Sequence, residues 1–165
     1  MTPGQNSRIF FPVSTAKLIV MSIFSLGCYE FYWYYKNWQM EKARTGEDIS
    51  PFWRAFFTPI FAYSLFKRIK EFGGSSLIPI TLLPLRSCLG YIALTLAIKL
   101  PDPYWIIASL TFIPLLPVRD TIEAINLKHV PHADANGSFS GWNKVIIVLG
   151  GIILFSILVG LFSDS

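Results

Sequence analysis

Long apolar stretches separated by short charged segments dominate the pattern of this chain. Four of them approach or reach the roughly 20 residues that a helix needs to cross a bilayer. They lie at residues 15–35, 84–100, 103–118 and 145–162. The pattern predicts an all-α fold, with residues 1–165 forming one membrane domain, an integral membrane helical bundle of about four transmembrane helices.

A fifth apolar segment, residues 51–72, has features of a helix that lies in the membrane interface. Pro51 is suited to the first position of a helix. The apolar part, 52–66, is short for a span, contains Arg54 and is followed by three basic residues. We therefore expect an amphipathic interfacial helix. Insertion of residues 52–66 into the bilayer is the alternative, and it would reverse the orientation of the chain.

Composition and charge sharpen this interpretation. Only 15% of the residues are charged and 53% are hydrophobic, which excludes disorder and disfavours an ordinary soluble domain. Basic residues concentrate in segments 36–74 and 119–144, and the positive-inside rule places both segments in the cytoplasm and both termini outside. Without a long Lys/Arg run, the net charge of +4 does not indicate a nucleic-acid partner.

Aromatic and basic residues alternate from the end of the first predicted span into the interfacial helix. Tyr and Trp favour the head-group level, so anchoring of the helix end is one interpretation. The cluster is denser than such anchoring needs, and a site for lipid head groups or a partner protein is the sharper hypothesis. Its residues are Trp33, Tyr35, Lys36, Trp38, Arg44, Trp53 and Arg54.

Two ionisable residues, Glu30 and Arg86, lie within the predicted spans. Such groups cost at least about 2.5–3.5 kcal/mol at mid-depth and often mark function. With four spans both lie near the same interface, where an intramembrane ion pair is geometrically plausible. The pair either fixes helix register or forms the centre of a transport path, and snorkelling of both side chains is the simpler alternative.

A weak metal candidate consists of His129, His132 and Asp134 in one polar segment. Pro131 interrupts the i, i+4 spacing that a helical histidine pair uses, and no third strong ligand is evident. A plain polar loop is favoured, and neither a metal nor a cofactor is predicted. Cys28 and Cys88 lie in apolar runs and indicate buried thiols rather than a disulfide.

The blocks CYEFYWYYKNWQ and SPFWRAFF, with INLKHVPHADANGSFSGWNK before the last apolar helix, carry a resemblance. The chain resembles a family of uncharacterised small bacterial multi-pass membrane proteins with a Tyr-Trp and Lys-Asn-Trp signature followed by Pro-Phe-Trp-Arg-Ala-Phe-Phe. The resemblance implies residence in the bacterial cytoplasmic membrane. It brings no activity or catalytic residue with it.

The sequence thus predicts a non-enzymatic membrane protein whose aromatic and basic cytoplasmic layer engages lipid head groups, anionic ones included, or a partner protein. A small oligomeric transporter or channel using Glu30 and Arg86 is the alternative, and a lipid-modifying enzyme is third. Enzyme motifs such as G-x-S-x-G are absent from the sequence. Small residues in the last span, Gly150 among them, would let another helix or a second copy approach closely.

Overall fold

The computed structural model describes residues 8–132 and 134–163, and helices are the only regular elements in these ranges. The all-α prediction is therefore confirmed. Two helical stretches are long and apolar enough to cross a membrane, Tyr104–His129 and Gly141–Gly160. The α-helices are α1 Thr15–Phe24, α2 Cys28–Thr45, α3 Pro51–Phe56, α4 Thr58–Ser75, α5 Pro84–Leu96, α6 Leu116–His129 and α7 Gly141–Ser163.

The segment 15–35, predicted as one span, is a helical hairpin. The chain reverses at Leu26 and Gly27, which have φ of 51° and 87° in the left-handed region that glycine tolerates. The backbone N–H of Phe11 donates to Oδ1 of Asn37 at 3.1 Å. If the 26 residues from one to the other formed a continuous helix, these two residues would lie about 39 Å apart. Helices α1 and α2 are therefore antiparallel, and the prediction of a straight first span is wrong.

A second hairpin joins α5 to α6. After α5 the chain passes through 3-10 turns at Ala97–Lys99, Tyr104–Leu110 and Ile113–Leu115 before α6 begins. The arms are antiparallel, since a Cβ atom placed on Gly90 would lie 3.2 Å from the ring of Pro114. These arms occupy the segments predicted as spans 84–100 and 103–118, and the first is about 26 Å long by helix geometry.

Helix α7 packs against α1 and runs in the same direction. Both begin near Ser138, whose carbonyl accepts a hydrogen bond from Lys17 at the start of α1. Where α1 ends, the carbonyl of Phe24 lies against the bare Cα of Gly150, so the close helix approach predicted at this glycine is confirmed. Only 6% of the apolar window of α7 is buried, unlike the core helix of a soluble protein.

The segment 9–13, which we call the strap, lies outside regular secondary structure and is held by side chains. The amide of Asn126 accepts from the N–H groups of Ile9 and Phe10 and donates to the carbonyl of Phe10. Arg119 donates to the carbonyl of Val13 at 2.8 Å. These contacts satisfy backbone N–H and C=O groups that lie outside the helices and so have no intrahelical hydrogen-bond partner.

The position of the strap contradicts the predicted arrangement, in which the N-terminal end of the chain lies opposite segment 119–144. The strap lies on the same side as segment 119–144, whereas four spans would put the two on opposite sides. The reason is the reversal at Gly27, which returns the chain to the side where it started. The expectation that both termini lie outside concerns residues 1–7 and 164–165 as well, and these lie outside the described residues.

The charged ends of α2, α4 and α6 meet the strap and residues 134–140 in one layer, which we call the polar layer. His129 at the end of α6 lies 2.9 Å from the hydroxyl of Ser76 after α4, and the guanidinium of Arg44 on α2 lies 4.8 Å from the ring centre of Phe72 on α4. The largest fully buried side chains among the described residues are Phe10, Leu18, Met21, Trp33, Tyr34, Trp38, Leu65, Phe66, Ile69, Leu82, Leu115 and Ile122.

The predicted interfacial helix over 51–72 forms two helices, α3 and α4. The interruption falls at Phe57, whose ψ of 41° departs from helical geometry. Pro59 lies just after this point, inside the first turn of α4, where a missing N–H costs little. Helix α3 packs on α2 with Ala55 buried, and α4 packs on α5 and α6.

Candidate functional site

The seven residues predicted as a lipid or partner site divide into a buried and a surface set. Trp33 and Trp38 have no exposed surface at all, and both belong to the wide buried face of α2 that also carries Tyr34 and Asn37. The prediction that these two indoles contact lipid or a partner is wrong. Tyr35 and Lys36, which also lie on α2, are half-buried. Trp53 on α3 is exposed.

The predicted arginines cover the edge of this aromatic core. The guanidinium carbon of Arg54 lies 4.5 Å from the ring centre of Trp38 and 5.4 Å from that of Phe61. Arg44 is bound to the carboxylate of Glu41 at 2.6 Å. Cation–π contacts of this kind stabilise the fold by about 0.5–2 kcal/mol each, so the first role of both arginines is structural.

A carboxylate and guanidinium network ties the end of α2 to α4. Glu41 is buried, and its second oxygen accepts from Arg68 at 3.0 Å. Arg68 also donates to both oxygens of Glu47 at 2.7 and 2.9 Å. Hydrogen bonds from Arg68 hold the pKa of the Glu47 carboxyl below its ordinary value, and the same bonds raise the pKa of Arg68.

Beside this network the polar layer opens into a cavity of about 560 Å³ between α2 and α4. Each cation in its walls has a carboxylate partner, because Arg44 and Arg68 pair with Glu41, Arg68 also pairs with Glu47, and Lys67 pairs with Glu71 at 3.7 Å. A cavity whose cations already have carboxylate partners has little attraction for a further anion. The cavity is therefore a weaker site candidate than its size indicates.

A cluster of exposed large apolar side chains, most of them aromatic, extends from α3 through Phe57 to the first turns of α4, and we call it the aromatic surface. The opposite face of the same segment is buried through Ala55, Thr58 and Ala62. The rings pack on one another, with Trp53 and Phe57 stacked at 6.0 Å between centroids. The exposed residues are Phe52, Trp53, Phe56, Phe57, Ile60 and Tyr63.

Sequence reasoning identified only Trp53 of this surface, although the signal was present. The exposed residues recur at helical spacing, about one turn apart, while small residues, Ala55, Thr58 and Ala62, recur on the other face. A helix with large rings on one face and small residues on the other packs by its small face. The prediction weighed residue types and missed this division.

Glu30 is buried, and its carboxylate accepts from the hydroxyl of Thr111 at 2.8 Å. The hydroxyls of Ser22 and Tyr91 also face it. Within residues 8–132 and 134–163, no ion pair joins it to Arg86, which is exposed. The predicted pair is wrong because Ser87, Cys88 and Tyr91 form the buried face of α5, which turns Arg86 away.

The weak metal candidate does not assemble either. His129 contacts Ser76 and the ring of Phe72, whereas Asp134 pairs with Arg8 at 3.4 Å. His132 is exposed after the end of α6. Among the residues that the structure describes, no group of three His, Cys, Asp or Glu side chains could hold a metal ion.

A groove of about 680 Å³ runs between the α1–α2 hairpin and α7. Its mouth lies at the polar layer and includes Arg8, Lys17 and Asn136, while its floor is mainly apolar. Lys17 is 5% exposed, and its ammonium donates to Oδ1 of Asn136 and to the carbonyl of Ser138, both at 2.8 Å. Both acceptors are neutral, so no carboxylate is hydrogen-bonded to this ammonium.

The groove escaped prediction because it depends on the hairpin. Lys17 and Gly150 are 133 residues apart in the sequence, and only the reversal at Gly27 brings α1 alongside α7. Comparison of the chain with protein-family models, with curated proteins and with solved structures finds no match.

Proposed function

We propose that this chain is a non-enzymatic protein of the bacterial cytoplasmic membrane that engages lipid head groups at its cytoplasmic face. In this arrangement the α5–α6 hairpin and α7 cross the bilayer, and the α1–α2 hairpin enters it and returns. The polar layer then lies at the head-group level. The aromatic surface lies beside it in the same leaflet.

The observation that carries the proposal is the placement of the basic residues. Every Lys and Arg of the chain falls within the described residues, and all except Lys99 lie in the polar layer or in the helical turns that adjoin it. Lys99 lies at the turn of the α5–α6 hairpin, at the far end. So one-sided a distribution is typical of a membrane protein whose basic side faces the cytoplasm.

The far end of the second hairpin supports the same arrangement. The turn carries Lys99 and Asp102, and Tyr104 and Trp105 follow it. The indole of Trp105 donates to the carboxylate of Asp102 at 2.6 Å. Aromatic and charged residues together are what the opposite head-group region of a bilayer favours, and an arm of about 26 Å brings them close to it.

The aromatic surface supports contact with lipid rather than with water. Six large exposed side chains on one helical segment exceed what a soluble surface usually presents in one patch. Tyr63 and Trp53 carry polar ring atoms that suit the boundary between head groups and acyl chains. Arg54 and Lys67 border the patch and would face phosphates.

The alternative as a transporter loses its main support, since Glu30 and Arg86 do not form a pair. Glu30 remains enclosed by α1, α2, α5 and the Tyr104–Leu110 segment, with hydroxyl partners. A buried carboxyl satisfied by neighbouring hydroxyls is explained by packing, because unpaired polar groups are costly in a low-dielectric interior.

Quenching of tryptophan fluorescence by brominated lipids tests the proposal. The full chain is reconstituted with lipids brominated near the head groups or near the chain ends. We expect the signal lost on Trp53→Phe to be quenched more strongly by the shallow bromines. Trp38→Phe is the matched control, because its indole is buried and its signal should respond to neither. A Trp53 signal that no brominated lipid quenches would contradict the proposal.

A further inference from the structure

We infer that the groove between α1 and α7 is a binding site for one anionic phospholipid, with an acyl chain along its floor and the phosphate at Lys17 and Arg8. This inference rests on the proposed function, because it needs the groove to lie in a bilayer. It assigns a specific lipid to a specific site. The aromatic surface, by contrast, contacts head groups without selecting among them.

The shape of the groove fits a chain. Its volume of about 680 Å³ lies within the range of small-molecule pockets. The floor runs along α1 and α7 through Met21, Phe24, Leu149 and Ile153. Since both helices start at the polar layer, the groove runs from head-group level towards the bilayer centre, as an acyl chain does.

The mouth of the groove supplies donors for an anion. The ammonium of Lys17 has three hydrogens and uses two on Asn136 and Ser138. The guanidinium of Arg8 has five and meets one oxygen of Asp134 at 3.4 Å. Asp134 is 73% exposed at its side chain, so water weakens its hold on Arg8.

Charge selects the class of lipid. Two cations and one exposed carboxylate leave the mouth with a positive balance. A zwitterionic head group offers the same phosphate but brings a quaternary ammonium to the mouth, where Lys17 and Arg8 repel it. A phosphate ester with net negative charge accepts hydrogen bonds from both cations, and such charge-assisted bonds are among the strong ones.

Native mass spectrometry of the full chain in a mild non-ionic detergent tests the inference. Phosphatidylglycerol and phosphatidylcholine with the same acyl chains are the probes. We expect one phosphatidylglycerol to be retained about tenfold more strongly than phosphatidylcholine. Arg8→Gln should remove most of this preference, and Lys17→Gln should remove it as well. Equal retention of the two lipids by the unmodified chain would overturn the inference.

Two further variants separate the groove from general attraction to charge. Lys36→Gln removes a cation on α2 that is absent from the groove lining, and it should leave the preference intact. Leu149→Trp keeps both cations but fills the floor, and it should abolish retention while thermal unfolding shows that the fold persists. Retention that survives Leu149→Trp, or a dimer that forms through α7 without lipid, would overturn the inference. Because the Trp53 quenching experiment does not involve the groove, the two proposals can fail separately.

Discussion

A methyl group added at Gly150 should push α1 away from α7. A Cβ at this position would lie 2.7 Å from the carbonyl carbon of Phe24 and 3.1 Å from its Cα, and closer still to its carbonyl oxygen. Non-bonded carbon atoms prefer about 3.5–4.0 Å, and because the carbonyl oxygen is nearer than either carbon, the helices must separate by more than about 1 Å. Since the clash is with backbone, no rotamer change can relieve it.

The cost can be estimated from two opposing effects. Overpacking of a close contact costs typically about 1–3 kcal/mol, and a rigid backbone clash belongs at the upper end. Replacing Gly by Ala inside a helix gains about 1 kcal/mol in propensity. We therefore expect Gly150→Ala to lower the free energy of unfolding by about 2 kcal/mol, as the difference between these effects.

The neighbouring glycine provides a matched control. A Cβ on Gly151 would meet only the ring of Phe24, at 3.6 Å, which is ordinary van der Waals contact. Gly151→Ala should be neutral or stabilising by up to about 1 kcal/mol. Denaturant or thermal unfolding in mixed micelles measures both variants. If Gly150→Ala and Gly151→Ala change stability equally, the close packing of α1 on α7 is refuted.

Three further perturbations address the strap, the polar layer and the enclosed carboxyl. Asn126→Ala leaves backbone groups of strap 9–13 unpaired and should cost about 1–3 kcal/mol, seen as faster amide exchange and proteolysis in the strap. Glu47→Gln removes the carboxylate held by Arg68. Because the pKa of Glu47 is lowered on folding, its contribution is present above its ordinary pKa and is lost as pH falls through the folded value. The difference in melting temperature between the unmodified chain and Glu47→Gln should therefore shrink at acidic pH, and a constant difference would contradict this. Glu30→Gln keeps a hydrogen-bond acceptor and should retain the fold, whereas Glu30→Ala should destabilise it in thermal unfolding.

The sequence was sufficient for the helical class and for several helix ends. Pro51 and Pro84 begin helices because the ring fixes φ and the first turn needs no N–H. The arms of the α5–α6 hairpin follow from their apolar segments and the polar link between them. These features depend on residues close in the sequence.

The first hairpin was not predictable in the same way. Residues 15–35 are predominantly apolar, and hydropathy alone cannot tell a continuous span from one that reverses at Leu26 and Gly27. A glycine within an apolar helix is also common in spans that do not turn. The decision comes from tertiary contacts, in which Asn37 and Asn126 hold the strap.

The burial of the candidate site residues could not be predicted from the sequence either. Trp38 and Trp53 belong to one aromatic-rich region, yet one is buried and the other is exposed. Which of these side chains becomes buried depends on packing between segments that are separated in the sequence. The distribution of basic residues along the sequence predicted that arginines gather at one interface. It did not predict that the guanidinium of Arg54 lies over the ring of Trp38.

Topology mapping tests the central claim most directly, namely that the α1–α2 hairpin does not cross the bilayer. Green fluorescent protein, which fluoresces in the cytoplasm, and alkaline phosphatase, which is active only outside it, are fused in turn before the strap and after α7. We predict a cytoplasmic N-terminal side, with fluorescence there, and phosphatase activity after α7. Phosphatase activity at both ends would contradict the hairpin and restore four straight spans.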